Sequence, residues 1–223
     1  MLAVDRCVLA EDALFHTSID LTVRAQAREF GATVTGVTLS TEQLAWAQKR
    51  LADAGLPGEL RFQDYRDIAD GPFDAIASIE MFEAVGRAYW PSFFETLKAQ
   101  LKPGGKACIQ SITIRDDLFE RYVKSSDFIQ QYIFPGGLLP SKAVFRQQAA
   151  NAGLSIRNEL SFGHDYAETL RRWHTRFLAR EAEVLGLRFD NRFMRIWEFY
   201  LAYCEAAFAT GNTDVMQFTL ERP

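Results

Sequence analysis

The stretch Ala32-Thr-Val-Thr-Gly-Val-Thr-Leu-Ser-Thr-Glu-Gln-Leu-Ala-Trp-Ala-Gln-Lys-Arg-Leu51 sets two periodicities side by side. Its first seven residues are rich in Val and Thr, the composition of a strand. Ser40 and Thr41 can then cap a helix on which Leu44, Ala47, Gln48 and Leu51 recur at helical spacing. Gly55, Pro57 and Gly58 break that helix, and residues 59–62 read as the next short strand. The same alternation continues outward. Upstream, residues 20–30 read as a helix ending at Gly31. Downstream, residues 73–79 form an apolar strand, and Trp90, Phe93, Phe94, Leu97 and Leu101 mark a helix stopped by Pro103, Gly104 and Gly105. Residues 106–114 are then another buried strand. Alternating strands and helices predict an α/β fold with a doubly wound, Rossmann-like parallel sheet, and functional loops after Val37, Phe62 and Ile79, at the carboxyl ends of its strands. The second half is more helical, near 141–152, 166–187 and 190–209, before a closing strand over 214–222. The whole reads as one domain with a helical cap.

Composition narrows the possibilities. In 223 residues, 48% hydrophobic and 24% charged fall close to the globular average, which excludes disordered, collagen-like and coiled-coil classes. Twenty-five basic residues against 29 acidic ones, without a block of like charge, leave no nucleic-acid footprint. No apolar run approaches the ~18–20 residues needed to span a bilayer. Asp5, Arg6, Glu11 and Asp12 interrupt the start of the chain, so no secretion signal is legible. Cys7, Cys108 and Cys204 are odd in number and far apart, which suits a reducing compartment, with the cytoplasm as the default.

Several chemistries lack their markers. His16, His164 and His174 form no pair at metal-binding spacing and the cysteines form no CxxC, so no metal site is expected. No GxSxG is present for a serine hydrolase. The first glycine is Gly31, so no glycine cradle for a phosphate or dinucleotide precedes it.

What remains is a series of short motifs in order: Gly36-Val-Thr-Leu-Ser-Thr-Glu-Gln43, Asp64-Tyr-Arg-Asp67, Ser78-Ile-Glu-Met-Phe-Glu-Ala-Val-Gly86, Leu101-Lys-Pro-Gly-Gly105, Phe128-Ile-Gln-Gln-Tyr-Ile-Phe-Pro-Gly-Gly137, Leu139-Pro-Ser141, Phe162-Gly-His-Asp-Tyr166 and Trp197-Glu-Phe-Tyr-Leu-Ala-Tyr-Cys-Glu205. From about residue 25 to 222 the chain resembles the cyclopropane-fatty-acyl-phospholipid synthases, which include the mycolic acid cyclopropane synthases. The resemblance implies a class I S-adenosylmethionine-dependent methyltransferase fold. It also implies one-carbon transfer to the cis double bond of phospholipid acyl chains at the membrane surface, peripheral to its inner face, by a cytoplasmic protein whose oligomeric state stays open. Bicarbonate is the catalytic base it implies.

Site residues carry over position by position. Glu83 matches the glutamate that holds bicarbonate, with a helix N-terminal charge as the competing reading. Gln110 stands where the family has a histidine; an amide can donate a hydrogen bond but cannot titrate. Ile112 and Tyr166 complete the implied bicarbonate site, with a core tyrosine as the alternative for Tyr166. His164 has no matching role and is expected at the surface. Cys204 matches a cysteine sometimes placed in the active site, although its apolar helical neighbours equally suit a structural thiol. For the cofactor, Thr38 and Gln43 correspond to contacts with ribose and methionine, and Asp64, Tyr65 and Arg66 to the adenine side, with ordinary surface-loop polarity as the alternative.

The amino terminus departs from the family. The expected Gly-Cys-Gly-Trp-Gly-Gly loop would fall at residues 16–21, which contain no glycine. Residues 1–24 therefore read as a divergent segment before a 25–223 methyltransferase domain, as a truncated or frame-disrupted gene would produce. The first, central strand is expected to be degenerate or replaced, with residues 2–9 filling in. Side chains in place of cradle glycines imply weak or absent cofactor binding. Three functions stay open: a cyclopropane synthase, a fatty-acyl C-methyltransferase suggested by Gln110 and Ala84 at usual histidine positions, and an inactive fragment. Leu170, Trp173, Phe177 and Val184, near Arg171, Arg172, Arg176 and Arg180, form a stripe that suits either a membrane face or core packing.

Overall fold

The structure, a computed structural model, describes residues 6–11, 28, 29 and 31–223. Among the described residues, seven strands form one sheet: β1 (Arg6–Glu11), β2 (Thr33–Thr38), β3 (Glu59–Phe62), β4 (Phe73–Ile79), β5 (Leu101–Ile114), β6 (Ser155–Ser161) and β7 (Thr213–Glu221), in the order β3-β2-β1-β4-β5-β7-β6. The first five run parallel. Gly104 and Gly105 bond with Arg222, and Arg115 with Asn212, so β7 runs against β5. The predicted α/β doubly wound sheet is present, and its central position is held by β1. That strand pairs with β2 from Arg6↔Thr33 to Glu11↔Thr38, and with β4 from Cys7↔Ala75 to Ala10↔Ser78. A strand thus fills the central position over 6–11, reaching past residue 9, and residues 2–5 of the expected filling segment lie outside the described residues.

Helices follow as α1 (Thr41–Asp53), α2 (Phe82–Val85), α3 (Trp90–Gln100), α4 (Asp116–Val123), α5 (Phe128–Tyr132), α6 (Lys142–Asn151), α7 (Gly163–Ala179), α8 (Glu181–Gly186) and α9 (Asn191–Ala209). Ser40 caps α1 by accepting from the Gln43 amide. Ala47 and Leu51 on α1 bury against Ala32, Val34 and Leu60, covering one face of the sheet as the helical spacing required. The predicted helix over 20–30 lies outside the described residues except for Arg28 and Glu29, which are helical.

The run read as a helix near 166–187 is two helices, α7 and α8, separated at Arg180, and the boundary after α3 differs as well. α3 ends at Gln100, and β5 starts at once with Leu101, paired to Phe73, instead of at Lys106. Residues 102–105 stand opposite Asp74 alone, because the register jumps from Phe73↔Leu101 to Ala75↔Lys106. Pro103-Gly-Gly105 is therefore a bulge inside a strand, not a separate break. Gly104 takes a left-handed φ of 76°, and a Cβ on Gly105 would stand 2.8 Å from the Lys102 carbonyl oxygen. Only glycines let the ladder resume here. Sequence reading also passed over α2, α4, α5 and β6.

By internal contacts the chain divides into two compact units. One holds the chain to Ser111 with Ala143–Leu160 and Gln217–Pro223; the other holds Ile112–Lys142 with Ser161–Met216. In the first, Phe82 is fully buried and its ring lies 5.0–5.4 Å from Trp90, Phe93, Phe94 and Phe145. In the second, α7 packs along α9, burying Leu170, Tyr200, Leu201 and Phe208. Trp173 and Phe177 pack against the same cluster, so most of the apolar stripe on α7 is core and not a membrane face. Its arginines take ordinary surface partners: Arg171 and Arg172 both bond Glu168. No helix among the described residues is long and apolar enough to cross a membrane.

Candidate functional site

The carboxyl ends of β2, β3 and β4 meet around a cleft of ≈ 240 Å³ in the first unit. Val37, Thr38 and Leu39 come from the end of β2, Gln63 to Arg66 follow β3, and Met81, Ala84, Val85 and Tyr89 follow β4. Thr38, Asp64, Tyr65 and Arg66, four of the five expected cofactor residues, therefore share one cavity, where a doubly wound sheet presents its ligand site. The fifth, Gln43, is joined to it: the buried Thr38 hydroxyl donates to Gln43 Oε1 at 2.8 Å.

The β3 loop is tied down by the chain itself. Gln63 N–H donates to the Thr38 carbonyl, and Asp64 caps a short 3₁₀ turn (Tyr65–Asp67) by accepting from Arg66 N–H at 2.9 Å. The Arg66 guanidinium folds back onto the same carboxylate, at 2.6 and 2.9 Å. These bonds hold the Asp64 carboxyl below its usual range despite partial burial, so it is ionised at neutral pH. Tyr65 sets its ring edge-on to Phe93 at 5.7 Å, and burial pushes its phenol upward, leaving a neutral hydroxyl. The cleft thus combines one ionised carboxylate, one guanidinium and the hydroxyls of Thr38, Tyr65 and Tyr89 with apolar walls.

Glu83 does not itself line this cleft but adjoins Ala84, which does. Phe82 anchors α2 in the aromatic core, Ala84 and Val85 line the cavity, and Glu83 between them is half-buried with Oε2 inaccessible to solvent. Gln110 lies on β5, opposite Ile79. Its amide is used at both ends: Nε2 donates to Glu80 Oε1 at 3.0 Å, and Oε1 accepts from Gln217 Nε2 at 2.9 Å. Glu80 also donates its backbone N–H to the Gln110 carbonyl and holds a left-handed φ of 52°, strained for a residue with a side chain. Among the described residues, the second N–H of the Gln110 amide makes no further hydrogen bond. Sequence reasoning missed Glu80 and Gln217; a non-glycine at a positive φ is not legible in a string of letters.

Ile112, Tyr166 and Cys204 belong to the second unit. Tyr166 packs its ring against Phe208 at 5.1 Å and Trp173 at 6.4 Å, within the core between α7 and α9. Ile112 and Cys204 pack against the same cluster. Burial, with Asp127 adding repulsion, pushes the Cys204 thiol up to about 12, so it is protonated at neutral pH. The amino end of α7 is fixed by Asp214, whose carboxylate accepts from Gly163 N–H at 2.9 Å, from Lys142 Nζ at 2.7 Å and from the Ser161 hydroxyl. His164 is at the surface, as expected. The loop counted to residues 16–21 lies outside the described residues.

Comparison with known proteins assigns the family. The family profile described as mycolic acid cyclopropane synthetase matches residues 20–218. The chain is 45% identical over 206 residues to the tuberculostearic acid methyltransferase UfaA1 of Mycobacterium tuberculosis, covering 91% of this chain and 48% of that protein. It is 34% identical over 197 residues to the cyclopropane-fatty-acyl-phospholipid synthase of Escherichia coli, covering 88% of this chain and 49% of the relative. The chain thus spans about half the length of these curated relatives. Among solved structures, that of the mycolic acid cyclopropane synthase CmaA1 complexed with SAH and CTAB superposes with a TM-score of 0.84 at 25% identity, covering 96% of this chain and 77% of that one. With the motifs, the strand order and the profile in agreement, the chain belongs to the mycolic acid cyclopropane synthetase family.

Proposed function

We propose that this chain carries the S-adenosylmethionine-binding domain of a lipid-modifying transferase that adds one carbon to the cis double bond of a phospholipid acyl chain. The observation that carries this reading is the cleft itself: Thr38 after β2 and Asp64, Tyr65 and Arg66 after β3 line one cavity where the fold presents its ligand. Thr38 and Gln43 would face the ribose and methionine parts, and Asp64, Tyr65 and Arg66 the adenine part. When bound, the cofactor supplies an electrophilic sulfonium methyl. Methyl addition to an alkene leaves a cation on the acyl chain, and a proton must then leave. Bicarbonate is the base in this reading, with Glu83 and Gln110 as its ligands in the first unit. Gln110 can supply a fixed N–H donor but no titratable group. The place of action is the cytoplasmic face of the membrane, reached peripherally.

Gln110 also supports a second outcome. An amide held at both ends by Glu80 and Gln217 orients an anion without relaying a proton, and the 45%-identical relative is named a methyltransferase. A methyl-branched product in place of a ring follows if the proton is lost elsewhere than from the new methyl.

The test has two arms. Calorimetric titration with S-adenosylmethionine should show saturable binding, weaker than in a glycine-cradled relative, and Asp64→Ala should reduce it further. Incubation with the cofactor and unsaturated phospholipid vesicles should yield chains one CH₂ heavier, with ring and branch separated by their proton resonances. Absence of both binding and the heavier chain would defeat the proposal and leave an inactive member of the family.

A further inference from the structure

While the α7 stripe is buried, a different apolar surface lies open where α7, α8 and α9 meet. Leu187, between α8 and α9, is 72% exposed, Phe189 45% and Leu178 43%. Their backbone is ordered. Leu187 N–H donates to the Glu183 carbonyl and Arg188 N–H to that of Leu185, and the Phe189 ring stacks on Phe193 at 4.2 Å. Phe193 in turn meets Phe177 at 6.3 Å, so the end of α7 and the start of α9 stand side by side. Between Leu187 and Phe189, Arg188 is held at a φ of 72°, a conformation costly for a bulky side chain and sustained by the surrounding turn.

The charge around these residues is net positive. Residues 176–195 hold five arginines against three acids, in a chain whose net charge is −4. Two of the acids are engaged: Glu183 lies 4.0 Å from Arg180, and Asp190 caps α9 by accepting from Phe193 N–H at 2.8 Å. Arg188, Arg192 and Arg195 are exposed and make no ion pair among the described residues. Exposed Leu and Phe with exposed arginines close by in the same turn and the start of α9 are the chemistry of a surface that inserts shallowly among anionic lipid headgroups, where the arginines meet phosphates and the apolar side chains reach the acyl boundary.

We infer that Leu178, Leu187 and Phe189 with Arg188, Arg192 and Arg195 form a docking surface for an anionic bilayer. The inference rests on the lipid-modifying reading only for the choice of partner. Its test needs neither cofactor nor turnover, so its failure and the failure of that reading are distinguishable.

The experiment is sedimentation of the chain with vesicles of equal parts phosphatidylglycerol and phosphatidylcholine, against phosphatidylcholine alone. The anionic vesicles should carry the chain down, and the neutral ones should not. Each basic residue near such a surface is worth about fivefold in partition, so R188Q/R192Q/R195Q, which removes three charges, should lose about 100-fold. Leu187→Ser with Phe189→Ser should lose at least ~10-fold through lost apolar burial, and raised salt should weaken the wild type. If circular dichroism shows that the double serine variant unfolds, Leu187→Ser alone decides, because that side chain is mostly in solvent. A wild type that ignores anionic vesicles, or variants that partition like it, would overturn the inference and turn the search toward an acidic protein surface.

Discussion

Asp214 offers the sharpest quantitative test of how the second unit is held. Its carboxylate, 19% exposed, accepts from three donors: Lys142 Nζ, the Ser161 hydroxyl and the first N–H of the helix that carries Tyr166. Replacement by alanine removes all three bonds. Lys142 is about one-third exposed and Ser161 is exposed, so both recover water. Gly163 is buried and its N–H does not. A hydrogen bond to a charged group is worth about 1.5–3 kcal/mol, and a stranded buried donor costs about 1–3 kcal/mol. With two of the three partners resolvated, the expected loss is about 2–3 kcal/mol, below the full cost of breaking a wholly buried pair. The pH dependence has a defined sign. Burial pulls the Asp214 carboxyl upward, but the bonds from Lys142, Ser161 and Gly163 outweigh it and hold it below the usual range. Its contribution is therefore complete above the unfolded-state value of about 3.9 and disappears as pH falls through the lower folded value. Urea denaturation of wild type and Asp214→Ala should show the gap at neutral pH and convergence in acid. A difference under about 1 kcal/mol at pH 7 would refute the reasoning, as would a gap that persists unchanged when the carboxylate is protonated.

Three further outcomes follow from the geometry. Phe82→Ala should cost about 3–5 kcal/mol in chemical denaturation, because its ring is fully buried among four others; it should also depress cofactor binding by loosening the turn that presents Glu83. Thr38→Val breaks the buried bond to Gln43 and should lower stability by about 1–2 kcal/mol while weakening S-adenosylmethionine binding in calorimetry. Cys204, protonated up to about 12, should resist alkylation at neutral pH, and Cys204→Ala should retain product formation; loss of turnover with the fold intact would restore a chemical role to the thiol.

Much of the fold was legible because it rests on local periodicity. The strand at residues 73–79, the cap of α1, the helices α6, α7 and α9 and the closing strand all followed from patterns within about ten residues, and so did the placement of Thr38, Asp64, Tyr65 and Arg66 at strand ends. Pro103-Gly-Gly105 was misread because the same three letters serve a helix stop and a strand bulge; the choice is made by Phe73 and Ala75 on the neighbouring strand. On α7, Leu170, Trp173 and Phe177 gave the same helical stripe whether they faced lipid or protein, and only packing along α9 decided it.

The amino-acid sequence by itself determined most of the longer strands and helices, the family, and which strand-end loops meet at the cleft. These depend on short-range spacing and side-chain type, which a linear string preserves. Tertiary structure alone decided that Gln110 is locked between Glu80 and Gln217, that Asp214 gathers Lys142, Ser161 and Gly163, and that Leu187 and Phe189 stand open beside unpaired arginines. Each is a relation between side chains brought together, or left apart, by the burial of others. The free energy that settles it belongs to the packed chain and not to any one segment.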